Sequence, residues 1–92
     1  MNNITYREIY TEIKADFNYP NFCRITVWQP DTEVYGVPYF FKVEHGDKNT
    51  EDWQYYFDLK DFNSNAQAIR YAIQAIDKYD INEPATAVAI LG

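Results

Sequence analysis

The stretch Phe22-Cys23-Arg24-Ile25-Thr26-Val27-Trp28-Gln29 decides how this chain folds. Cys23, Ile25 and Val27 fall on one side of an extended backbone, and Arg24, Thr26 and Trp28 on the other. β-Branched and aromatic residues dominate it, so residues 22–29 read as a strand. Pro30-Asp31 breaks the pattern. The same alternation returns over residues 38–45, where Tyr39, Phe41 and Val43 oppose Phe40, Lys42 and Glu44. It returns again over residues 53–60. There Trp53, Tyr55, Phe57 and Leu59 read as the inner face, and Gln54, Tyr56, Asp58 and Lys60 as the outer one. The polar segment beginning Gly46-Asp47-Lys48-Asn49 is short enough to join these two strands as a hairpin.

A helix follows. Ser64 with Gln67 three residues on forms a capping box. Ile69, Ala72, Ile73 and Ile76 then recur at helical spacing, which predicts a helix over 65–79 with those four on its buried face. Beyond Pro84, the apolar tail 86–91 reads as a short edge strand. Residues 5–17 fit two patterns. Tyr6, Ile9, Tyr10, Ile13 and Phe17 make a helical stripe, and Thr5 with Glu8 mimics a capping box. Ile9, Thr11, Ile13, Ala15 and Phe17 also alternate, and Glu8, Glu12 and Asp16 would repel one another at helical i,i+4 spacing.

The order is a strand ending Val27-Trp28-Gln29-Pro30, then Tyr39-Phe40-Phe41-Lys42-Val43, then an aromatic strand, then a helix containing Ala66-Gln67-Ala68-Ile69 and Ala75-Ile76. Over residues 5–80 this resembles a family of small bacterial domains of unknown function with a ββββα layout. The resemblance implies a strand over 6–15, paired as a hairpin with 22–29, and it brings no catalytic residues. The expected fold class is therefore α+β: an antiparallel sheet of four strands, or five with the tail, and one C-terminal helix on one face. Ile69, Ala72, Ile73 and Ile76 should face Ile25, Val27, Tyr39, Phe41, Tyr55, Phe57 and Leu59.

Counting narrows the chemistry. At 92 residues the chain is one small domain, residues 1–92. Eight Lys and Arg against fourteen Asp and Glu give a net charge of −6, which argues against gripping nucleic acid or an anionic membrane. A single cysteine rules out an internal disulfide, and Cys23 with one histidine, His45, cannot build a zinc cage. Cys23 reads as a small buried hydrophobe and His45 as a residue at a loop edge, too remote to act as its base. The lone serine, Ser64, reads as a helix cap. Asp47, Asn49 and Glu51 resemble the start of a calcium loop, but Asp52 stands where that loop needs glycine. No metal, cofactor or catalytic residue is expected. The start has no basic segment leading into an apolar run, and no stretch reaches membrane-spanning length, so a cytoplasmic protein is expected.

What remains is aromatic surface. Nine Tyr, six Phe and two Trp are more rings than one small core holds. Trp28, Phe40 and Tyr56 are expected to emerge from three strands on the outer sheet face, among Glu44 and Asp58, with Lys42 and Lys60 neutralising those carboxylates across strands. These five residues, Trp28, Phe40, Tyr56, Glu44 and Asp58, form the expected partner-binding surface. An acidic, aromatic, non-catalytic domain suits an inhibitor of a basic protein, such as an immunity protein neutralising a toxin. A phage-type anti-defence protein that imitates nucleic acid, or a homodimeric domain, would fit the same features.

Overall fold

Strand β2 (Asn21–Pro30) is the axis of the computed structural model, which describes residues 5–31 and 37–92. It pairs antiparallel with β1 (Tyr6–Ala15) on one side and β3 (Tyr39–Asp47) on the other. Strand β4 (Gln54–Lys60) pairs antiparallel with β3, so the sheet order is β1-β2-β3-β4. Helix α1 (Asn65–Asp77) packs on one face of the sheet, against β1 and β2. The architecture is α+β, as expected. Among the described residues no helix is long and apolar enough to cross a membrane.

The ambiguous first segment is a strand, and a β-bulge explains its helix-like spacing. The β1–β2 register shifts between Glu8 and Tyr10, leaving Ile9 as the extra residue. Ile9 and Tyr10 both pack against the core, while Tyr6 and Ile13 lie on the other face. A stripe that would line one side of a helix is thus divided between two faces of a sheet.

The core sits between sheet and helix. Cys23, Ile25 and Val27 of β2 and Tyr39, Phe41 and Val43 of β3 meet Ala68, Ala72, Ala75, Ile76 and Tyr79. Small alanines one turn apart let the helix sit close to the strands. Ile73, expected in the core, is 44% exposed. Each residue turns the helix about 100°, so a face centred on Ala68, Ala72 and Ala75 carries Ile73 off to the flank. Ser64 caps the helix, its Oγ accepting from the Gln67 N–H at 3.2 Å. Gln67 Oε1 accepts in return from the Asn63 N–H at 3.0 Å, one residue earlier than a standard capping box.

The tail is not a fifth strand. Pro84–Ala89 forms a 3₁₀-helix, and Ala87, Ile90 and Leu91 are buried. Proline opens a helical turn as readily as an edge strand. Spacing of three and four residues puts Ala87, Ile90 and Leu91 on one side. The Tyr71 hydroxyl donates to the Leu91 carbonyl at 3.1 Å and ties the tail to α1.

The largest departure concerns β4, whose two faces are the reverse of those expected. Phe41 pairs with Asp58, Val43 with Tyr56 and His45 with Gln54. Paired residues share a face. Gln54, Tyr56, Asp58 and Lys60 therefore lie on the helix side, and Tyr55, Phe57 and Leu59 point away from it. Those three are 58%, 53% and 56% exposed. The polar set is tolerated on the helix side because α1 packs over the opposite end of the sheet and β4 lies at its rim.

Candidate functional site

The face of the sheet away from the helix is a continuous aromatic surface. Tyr6 comes from β1, Trp28 from β2, Phe40 from β3, and Tyr55 and Phe57 from β4. Phe40 is the hub. Its ring centroid lies 6.1 Å from Tyr6, 5.3 Å from Trp28 and 5.2 Å from Phe57, and Phe57 is 5.0 Å from Tyr55. Leu59 prolongs the surface along β4. Toward the other end of the sheet, Trp53 meets Phe22 edge-on at 4.9 Å. The Trp53 indole N–H donates to the Thr50 carbonyl at 3.0 Å, so the β3–β4 loop holds that ring in place.

Three of the charges on this face, Arg24, Lys42 and Glu44, are paired. The Arg24 guanidinium grips Glu44, its cross-strand partner, through two bonds: Nε to Oε1 at 3.0 Å and Nη2 to Oε2 at 2.9 Å. The bond to Glu44 holds the Arg24 pKa above its ordinary value. Lys42 Nζ lies 3.8 Å from Glu44 and 5.5 Å from the centre of the Tyr55 ring. A shallow depression of about 340 Å³ runs beside this group, bounded by Glu8, Thr11, Ile13 and Trp28. Glu8 and Glu44 balance Arg24 and Lys42, so the face is close to neutral on a protein of charge −6.

Of the five expected binding residues, Trp28, Phe40 and Glu44 are together on this face. Tyr56 and Asp58 are not: the β3–β4 register turns them to the helix side. Tyr56 stacks there on His45, 5.7 Å away with the rings 10° apart. Asp58 bonds Lys60 at 3.0 Å along its own strand rather than across strands, and that bond lowers the Asp58 pKa. Sequence reasoning missed Tyr6, Tyr55 and Phe57. The alternation groups Tyr55 with Phe57 correctly but points the pair into the core.

His45 is not at a loop edge. It is buried on the helix side, directly opposite Cys23 in the β2–β3 register. Burial pushes the Cys23 thiol up to about 12, and the residue has no exposed surface. A nucleophilic cysteine needs thiolate character and access, and this one has neither. His45 Nε2 and the Tyr79 hydroxyl are buried nearby on the same side of the sheet, without hydrogen-bond partners among the described residues. A thiol reagent is expected to label native Cys23 at least about a hundredfold more slowly than the unfolded chain, because the thiol must be uncovered first. Labelling at the unfolded rate would show that the β2–β3 core opens freely.

Comparison with protein-family models, with curated proteins and with solved structures finds no match to this chain.

Proposed function

We propose that this chain is a non-catalytic binding protein that docks a basic protein through the outer face of its sheet and inhibits it, as an immunity protein inhibits a toxin. One observation carries the reading: five rings from four strands form an unbroken surface on the side that the helix leaves bare. Contiguous exposed apolar surface of this kind marks interaction sites. Trp and Tyr are also the side chains that most often dominate binding energy. The net charge of −6 would draw a basic partner toward the molecule, while the neutral face would let the two surfaces dry and pack.

A second copy of the chain is the other occupant that the neutral face admits, since its four charges cancel and offer no repulsion between like patches. Photo-crosslinking in cells that make the protein separates the two. A photoreactive residue in place of Phe57 is expected to trap a basic protein, and one in place of Ile73, on the exposed flank of the helix, is not. Phe57→Ser is expected to weaken the captured complex by about 2 kcal/mol, near thirtyfold, with the fold retained. Trapping of the chain by itself alone would assign the face to a homodimer. Equal trapping from Phe57 and Ile73 would sink the docking reading.

A further inference from the structure

Three of the outer-face rings form a cup. Tyr6, Trp28 and Phe40, from adjacent strands, line a hollow of about 320 Å³. Phe40 is inclined 60° to Trp28 and 56° to Tyr6, so the rings meet as walls and do not close into a stack. The Tyr6 hydroxyl donates to the Pro38 carbonyl at 3.4 Å and helps to hold that wall. Such a cup presents π-faces, which carry negative potential and attract cations within about 6 Å of a ring centroid.

The basic side chains around it are engaged elsewhere. Arg24 is forked onto Glu44, Lys42 lies over Tyr55, and Arg7 donates to Gln29 Oε1 at 2.8 Å. One carboxylate adjoins the cup. Glu8 is the cross-strand partner of Trp28 and is exposed. An aromatic hollow beside the Glu8 carboxylate, on a protein of charge −6, suits a cation on an apolar stem.

We infer that the cup of Tyr6, Trp28 and Phe40 receives a lysine or arginine side chain of the basic partner, its stem along the rings and its head toward Glu8. The inference rests on reading the outer face as the docking surface. It goes further, because it says which side chain enters and where. An apolar anchor would also fill the hollow, but it would make no use of Glu8.

The test uses N-acetyl-arginine methylamide and its neutral counterpart N-acetyl-norleucine methylamide, titrated into the intact protein by NMR. The Trp28 indole and the Tyr6 and Phe40 ring signals are expected to shift with the arginine compound, with an affinity at least about fivefold above that for norleucine. Glu8→Gln should weaken the arginine compound about threefold and leave norleucine unchanged. Trp28→Leu, which keeps the site apolar, should abolish the preference. If that variant unfolds, Tyr6→Leu on the edge strand reads the same loss. Equal binding of the two compounds, no shift at the three rings, or a preference that survives loss of Trp28 or Tyr6 would overturn the inference. The cup fails alone if photo-crosslinking from Phe57 still traps the partner while arginine shows no advantage. The docking reading fails if Phe57 traps nothing basic, whatever the cup binds.

Discussion

Phe41→Ala is expected to cost the fold about 3–5 kcal/mol. The side chain is fully buried in the first half of β3. It pairs with Val27 across one side and lies edge-on to Tyr71 of the helix at 5.3 Å and to Phe62 at 5.8 Å. It therefore joins the sheet, the helix and the β4–α1 connection at one point. Neighbouring rings are rigid and held by their own contacts, so the void left by the substitution collapses poorly, and cavity and transfer costs add. A chain of this length has a total stability of roughly 5–14 kcal/mol, so the loss is a large fraction of the whole. Ile73→Ala is the control. That residue has comparable apolar bulk but is 44% exposed, and its truncation should cost under about 1 kcal/mol. Denaturant midpoints at unchanged slope measure both. A smaller loss for Phe41 than for Ile73 would mean that the helix presents a different face to the sheet.

The contrast between those two residues also marks where reading from the sequence stops. Alternation over 22–29, 38–45 and 53–60 located β2, β3 and β4, because period two is a property of the strand itself. It grouped Trp53, Tyr55, Phe57 and Leu59 as one set and Gln54, Tyr56, Asp58 and Lys60 as the other. Which set faces the helix depends on the β3–β4 register, and a shift of one residue in the connecting loop would exchange them. Apolar character pointed to the wrong side because this surface is one where apolar side chains face out. In the helix, bulk misled in a similar way. Ile73 looked like core, but Ala68, Ala72 and Ala75 are what permit close approach. Trp28, Phe40 and Glu44 were legible as a surface because β2 and β3 are central strands whose inner sets, Cys23-Ile25-Val27 and Tyr39-Phe41-Val43, are plainly apolar. Tyr6 was hidden by the bulge at Ile9, which no local pattern announces.

Arg24→Ala is expected to destabilise the protein by about 1–3 kcal/mol, more than an ordinary surface ion pair would. The Glu44 side chain is only 12% exposed, and the fork from Arg24 satisfies both of its oxygens. Without Arg24 the carboxylate keeps, among the described residues, only Lys42, 3.8 Å away, and remains poorly hydrated among the strands. The cost stays below that of breaking a fully buried pair because Arg24 itself is 35% exposed and solvent screens part of the attraction. Glu44→Ala should be milder, since a partly exposed guanidinium can regain water. The double variant should then lose less than the sum of the singles, by about 1 kcal/mol of coupling. Salt gives the decisive arm. Exposed pairs fade when the Debye length shrinks to about 3 Å at 1 M, whereas a shielded fork at 2.9–3.0 Å should keep most of its coupling. Coupling that vanishes in salt would mean that water already solvates this part of the sheet. The outer face would then lack the dry, charge-balanced platform that packing against a partner requires.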